Sequence, residues 1–217
     1  MMVVMAALVL ASFISCTSAG AEKPKISDGP VLTIGYLLYK PKVKDEPEVT
    51  DVTWEIKFNS SLGKVHKYAE AWLRRYIFVP LKLQTWNITA VDREMKSKLD
   101  NLERNGTLVD PFKALKCVKD IEERIPNPPD VLCLVTQEPL TVYTDGFGLY
   151  HRLCKDVVPL ILTYNQTSNK TTGQKLGFLI QNTMNITNLF TWHKTSSEEK
   201  KQRFKDCQSQ RELKPKL

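Results

Sequence analysis

The segment Pro129-Asp130-Val131-Leu132-Cys133-Leu134-Val135-Thr136 decides the fold. Its five consecutive apolar residues, 131–135, follow a proline-rich stretch and end at a polar residue. A short strand that is apolar on both faces is typical of the centre of a parallel sheet, because helices cover both of its sides. The sequence therefore predicts a buried central strand over residues 131–135.

Strand and helix patterns alternate on both sides of this segment, which favours an α/β fold with helices packed against the sheet. The other predicted strands are residues 31–39, 78–91 and 157–164. A weak alternation over residues 52–58 suggests a short edge strand there. The predicted helices are one starting at Ser60 or Ser61, and residues 92–104, 110–125, 173–190 and 196–207.

The amino terminus has the pattern of a secretory signal. Residues 1–16 are uncharged and mostly apolar, and five small residues, 17–21, precede the first charge at Glu22. We expect residues 1–20 to be a signal peptide, residues 21–207 a single domain, and residues 208–217 a basic tail. The alternative is a buried N-terminal strand or helix, since no Lys or Arg precedes the apolar segment.

Cysteines and asparagine motifs both agree with export. Four cysteines follow the signal, and an even number in an oxidising compartment predicts two disulfides with three possible pairings. A zinc site competes with this interpretation, but the chain has no C-x-x-C pair. N-x-[ST] sequons occur six times, whereas about 1.3 are expected by chance from the composition. The residues concerned are Cys117, Cys133, Cys154 and Cys207, and the acceptors Asn59, Asn87, Asn105, Asn165, Asn169 and Asn185.

Composition excludes several classes of protein. Apolar residues make up 42% of the 217, which is enough for a core and too many for a disordered chain. Past residue 20 no apolar run approaches the ~20 residues that a membrane span needs. The net charge is +7, and residues 194–217 supply +4 of it with eight Lys or Arg and four Asp or Glu. Nucleic acid is not an expected partner of an exported chain.

No catalytic motif stands out. The histidines are His66, His151 and His193, and no two have the i, i+4 spacing of a zinc helix. Nucleophile-elbow, P-loop and dinucleotide motifs are missing, and residues 146–148 are interpreted as a turn. His66 and Glu70 fall on the polar face of the first helix, which predicts a solvated pair. Asp145 with His151 is kept as the basis of a residual hydrolase hypothesis.

A wider set of segments carries a family resemblance. Val109-Asp110-Pro111-Phe112-Lys113-Ala114-Leu115 leads through a helix to the opening segment, and Gly146, Cys154 and Val157-Val158-Pro159-Leu160-Ile161-Leu162 follow. This order resembles the reprolysin-type metalloproteases of tick saliva, and more closely their shortened relatives, the 28 kDa metastriate family. The resemblance covers roughly residues 31–207. It implies a metzincin-like domain with a mixed, mostly parallel sheet and two disulfides.

The resemblance breaks at the zinc helix. The family carries H-E-x-x-H-x-x-G-x-x-H there, but no His occurs between residues 152 and 192 of this chain. Apolar side chains cannot donate a lone pair to zinc, and without the Glu no base activates water. We therefore expect no metal, no cofactor and no catalytic residue. With Gly173 aligned to the preceding glycine, the motif positions are occupied by Leu179, Ile180, Thr183, Ile186 and Leu189.

The resemblance also implies how the cysteines pair. In the family a cysteine on the edge strand is tied to the last helix, which implies Cys154–Cys207 and leaves Cys117–Cys133. The second bond would join a helix to the central strand. His151 and Arg152 stand where the family has small residues before the edge-strand cysteine, so the substrate-binding edge is altered.

Together these observations predict a secreted, glycosylated pseudoenzyme. The resemblance implies a salivary protein that binds a host extracellular protein at the feeding interface without cleaving it. The alternative is binding of a glycosaminoglycan or another anionic surface through the basic C-terminal region.

Overall fold

The computed structural model describes residues 29–41, 53–103, 108–149 and 152–207 of the chain. The predicted signal over residues 1–20 and the predicted tail over residues 208–217 lie outside these ranges, as do Asn105 and His151.

Five strands form one mixed sheet in the order β2-β1-β3-β5-β4. β1, β2, β3 and β5 run parallel, and β4 pairs antiparallel with β5 at the edge. The prediction of a mostly parallel α/β sheet with residues 131–135 at its centre is therefore confirmed. The strands are β1 Val31–Leu38, β2 Lys82–Ala90, β3 Val131–Thr136, β4 Gly146–Phe147 and β5 Val158–Thr163.

Six α-helices accompany these strands in the described ranges, with a 3-10 turn at Glu122–Arg124. None of them combines the length and apolarity that crossing a bilayer requires. The helices are α1 Thr53–Ile77, α2 Arg93–Leu102, α3 Pro111–Lys119, α4 Asn169–Asn182, α5 Leu189–Lys194 and α6 Ser197–Gln202.

The helix boundaries follow local capping chemistry. The carboxylate of Asp110 accepts hydrogen bonds from the backbone N–H groups of Phe112 and Lys113, which confirms the predicted start of α3. Ser168 caps α4 in the same way through Thr171 N–H. The predicted helix over residues 173–190 thus begins four residues earlier and divides into α4 and α5.

The suggestion of an edge strand over residues 52–58 is wrong, because Thr53 begins α1 and neither Ser60 nor Ser61 caps it. Trp54, Phe58 and Leu62 are all buried, and their spacing of four places them on one helical face. Ile56, which is exposed, adds an apolar residue between Trp54 and Phe58, and the resulting two-residue alternation conceals the helical period.

The two faces of β3 pack against different layers. Val131, Cys133 and Val135 lie in the core shared with α1 and α4. Leu132 and Leu134 lie in the core shared with α2 and α3. Successive side chains of a strand point to opposite faces, so one apolar strand supplies both layers. The carboxylate of Asp130, just before β3, accepts hydrogen bonds from the N–H and hydroxyl of Thr33 at 2.7 and 2.8 Å and fixes the register with β1.

One disulfide joins described residues, not the two predicted. Cys154 and Cys207 are bonded, and the 53-residue separation implies about 4 kcal/mol of stabilisation by the chain-entropy relation. The predicted Cys117–Cys133 bond is wrong, because both thiols are free. Cys117 packs in the layer of α2 and α3, whereas Cys133 faces α1 and α4 across the sheet. Burial raises the pKa of both thiols, which keeps them protonated.

A buried hydrogen bond links α1 to the sheet. The Tyr36 hydroxyl and His66 Nε2 lie 2.7 Å apart, and both side chains are buried. The prediction of a solvated His66–Glu70 pair is wrong, since Glu70 accepts instead from the N–H of Leu83 at 2.9 Å. Burial lowers the pKa of His66 below its ordinary 6.5, although the charge of Glu70 opposes the shift.

This burial makes the stability of the protein depend on pH. The folded state holds His66 neutral, so its contribution is complete above about pH 6.5 and is lost as the pH falls toward the depressed folded pKa. We expect the free energy of unfolding to fall between pH 7.5 and 5.0 by more in the native protein than in His66→Gln. The difference in slope is at most about 1.4 kcal/mol per pH unit, measured by urea unfolding. Parallel curves for the two proteins would show that His66 does not titrate on unfolding.

Candidate functional site

Helix α4, which carries the first two implied zinc-motif positions, is held close to α1 by two glycines. A Cβ atom on Gly173 would lie 2.5 Å from the carbonyl oxygen of Val65. One on Gly177 would lie 3.1 Å from the carbonyl oxygen of Ala69. A larger residue at Gly173 would force the helices apart, so this contact sets which face of α4 meets the sheet.

The structure gathers four of the five motif positions into the core and leaves the fifth outside. Leu179 is buried and Ile180 has no exposed surface. Thr183 is also buried, and its hydroxyl donates to the carbonyl oxygen of Ile180 at 2.7 Å. Ile186 packs against the same core, whereas Leu189 is 47% exposed on α5. The buried set presents hydrocarbon and one engaged hydroxyl, which are not ligands that zinc prefers.

Metal-ligating side chains are dispersed over the described part of the chain. In these ranges, no three or more His, Cys, Asp or Glu residues form a group that could hold a metal ion. His193 is exposed on α5, and the edge of one ring meets the face of the other between His193 and Phe78. The Asp145–His151 hypothesis is left incomplete, because Asp145 forms an ion pair with Lys175 and His151 lies outside the described residues.

Exposed aromatic and aliphatic side chains surround the short edge strand β4. The ring of Tyr143 stacks on buried Phe147 with 4.7 Å between centroids, and Phe112 packs edge-on against it at 5.3 Å. Phe112 is 61% exposed and Tyr143 is 49% exposed. Large exposed apolar patches commonly mark interaction sites. We define the β4 surface as Phe112, Val142, Tyr143 and Phe178.

A hollow of about 310 Å³ opens within the β4 surface. Tyr143 and Phe178 line it together with Leu179, the first zinc-motif position, and the Asp145–Lys175 ion pair borders it. Gly146, which also lines the hollow, lets β4 lie close to β5. Its φ is +130°, and a Cβ atom on it would lie 2.3 Å from the carbonyl oxygen of Ile161. Apolar walls beside one ion pair suit an apolar side chain of an approaching peptide.

Sequence reasoning missed this surface. The interpretation of residues 146–148 as a turn is wrong, because Gly146 pairs with Leu162 and Phe147 with Ile161. A two-residue strand carries no alternation that a pattern could detect. The available signal was the number of apolar residues between 140 and 149, in a stretch that fits neither a helix nor a strand period.

A second hollow, also about 310 Å³, lies beyond the carboxyl ends of β3 and β5 and is polar. Its lining includes Glu138, Asn165 and Lys175. The Thr163 hydroxyl in its wall is buried and has no hydrogen-bond partner among the residues described. This is the edge where parallel α/β sheets bind ligands, and sequence patterns gave no sign of it.

The described sequons occupy four regions. Asn59 is exposed on α1, and Asn87 is exposed on β2. Asn165 and Asn169 flank the start of α4, the latter half-buried, and Asn185 is exposed in the turn after α4. All five therefore leave at least part of the acceptor side chain accessible.

The basic C-terminal region is only partly described. Lys194 lies over the ring of Phe190 at 4.1 Å, and the Arg203 guanidinium lies over Trp192 at 5.4 Å. Lys200 is buried, which removes it from any surface available to an anion. Lys205 is exposed and Lys201 is half-buried, whereas the three cations after residue 207 lie outside the described ranges.

Comparison with known proteins does not assign the chain to a family. No family model matches it, and no curated protein matches it. Among solved structures, it is similar at 10% identity to one titled "Structure of a chaperone-substrate complex", with a TM-score of 0.38. The match covers 69% of this chain and 26% of that one. A likeness at this level supports no assignment of function.

The placement of the zinc-motif positions predicts unequal effects of two matched substitutions. Leu179→Ala removes buried contacts of α4, so we expect it to lower the free energy of unfolding by about 2–4 kcal/mol. Leu189→Ala removes the same atoms from a half-exposed side chain and should change it by no more than about 0.5 kcal/mol. Chemical denaturation of both variants measures the difference. Equal losses would contradict the assignment of these positions to core and surface.

Proposed function

We propose that this chain is a secreted, glycosylated binding protein on a reprolysin-like scaffold. In this proposal the zinc site has been replaced by apolar packing, and the protein binds a host extracellular protein without cleaving it. The β4 surface is the binding face, and the exposed aromatic cluster around β4 is the observation that carries the proposal.

The order of elements supports the scaffold. Helix α3 leads to the central strand β3, and the segments with Gly146, Cys154 and β5 follow in the order that carries the resemblance. The Cys154–Cys207 bond joins the segment after β4 to the segment after α6, which also agrees. The free thiols Cys117 and Cys133 depart from the implied pattern.

The geometry of β4 favours an extended peptide as the ligand. One side of β4 pairs with β5, and no strand pairs with its other side in the ranges described. An exposed edge strand can accept an added strand through backbone hydrogen bonds, while neighbouring pockets select side chains. The hollow between Tyr143 and Phe178 lies where such a pocket is needed.

Sugar placement leaves this surface accessible. Asn87 lies on β2, the opposite edge of the sheet, and a glycan there would hinder pairing along that edge. No sequon falls within residues 108–149, the segment that supplies three of the four residues of the β4 surface. The edge open to a protein partner is therefore the one at β4.

We expect two substitutions in the β4 surface to weaken binding. Immobilised protein from glycosylating cells would be exposed to mammalian plasma, the bound protein identified by mass spectrometry, and its Kd measured after purification. Tyr143→Ser with Phe178→Ser should raise the Kd at least tenfold, because aromatic side chains dominate interface energetics.

Ile56→Ser with Phe190→Ser is the matched control, because these residues are similarly exposed and lie on α1 and α5. It should leave the Kd unchanged, and thermal unfolding would establish that both double variants fold. Equal affinity of the β4-surface variant and the native protein would refute this binding face.

A further inference from the structure

Strand β2 carries one extra residue next to a sequon. Ile34 pairs with Thr85 and Gly35 with Asn87, so Trp86 is bulged out of the β1–β2 ladder. A bulge re-aims side chains and places two neighbouring residues against one residue of the partner strand. Trp86 and Asn87 consequently line the same groove.

The groove has an aromatic floor and apolar walls. Gly35 has no side chain, and the Trp86 ring lies in the space that it leaves, 3.3 Å from where a Cβ would be. The groove encloses about 230 Å³ between this ring and Ile121, Ile125 and Leu132. Trp86 nevertheless remains 41% exposed, so a large aromatic face is left uncovered in the protein without its sugars.

The acceptor atom of the sequon is free to carry a sugar at this rim. Asn87 is exposed, and its Oδ1 accepts from the N–H of Ile88 at 2.8 Å. Its Nδ2, the atom that is glycosylated, makes no hydrogen bond with a described residue. Thr89, which completes the sequon, lines the groove as well.

We propose that the first N-acetylglucosamine on Asn87 lies across Trp86 and covers this groove. The sugar is attached when Nδ2 attacks C1 of an oligosaccharide linked to a lipid diphosphate. The C1–N bond forms, the C1–O bond breaks, the diphosphate leaves with the electron pair, and one amide proton is lost. The C–H face of the sugar then packs on the indole, and its acetyl methyl meets the apolar wall.

This inference rests on the export in the proposed function but not on the β4 surface, which lies at the other edge of the sheet. Loss of the Asn87 sugar contact would leave the plasma-binding result intact. A second copy of the chain or an apolar segment of another protein could cover the same groove, and the experiment separates these occupants.

The test uses the full secreted protein, labelled in its N-acetyl groups and trimmed to one N-acetylglucosamine per site. Ring currents of Trp86 should move the acetyl methyl signal of Asn87 upfield of those from other sites in the NMR spectrum. The signal is identified by its absence in Asn87→Gln. Trp86→Leu should return it to the ordinary position, whereas Trp86→Tyr should keep part of the shift.

The Asn185 sugar is the internal control, since it is attached in the turn after α4 and its signal should not respond to Trp86. An unchanged Asn185 signal also reports that each variant is folded. The proposal is overturned if mass spectrometry finds Asn87 unmodified, or if its methyl signal matches that of Asn185. A dimer that dissociates on Trp86→Leu would equally overturn it, because a second copy would then cover the groove.

Discussion

The close contact between α1 and α4 is the constraint on which the functional interpretation depends. Gly173 and Gly177 bring the α4 backbone against Val65 and Ala69, with no space for a side chain at Gly173. With this contact in place, Leu176, Leu179 and Ile180 of α4 pack in the core shared with the sheet. One face of the helix that the resemblance assigns to zinc is thereby packed into the core of the protein.

Because this face of α4 is buried, the proposed binding uses the exposed surface beside the helix. Buried Leu179 and Ile180 hold α4 on the sheet, while Phe178, on the other side of the helix, is exposed beside β4. Without metal ligands on α4, the scaffold still exposes the edge strand β4 and the hollow beside it. Binding through that edge uses the same two elements, β4 and α4, that frame the core.

The fold was largely predictable from the sequence, because β3 and the cap at Asp110 depend on local residues. The functional surfaces were not, because they depend on contacts between distant segments. His66 falls on a polar helical face by periodicity, yet it reaches the Tyr36 hydroxyl in the core. The error over Cys117 and Cys133 has a similar origin, since which face of the sheet each thiol meets follows from the assembled layers.

Zinc content is the most direct measurement of whether the implied metal site has become core. The purified glycosylated protein would be equilibrated with micromolar zinc, freed of unbound metal, and assayed by elemental mass spectrometry with and without a chelator. A core-packed α4 predicts far less than one zinc per chain and the same thermal midpoint under both conditions. One zinc per chain, with a lower midpoint after chelation, would contradict it.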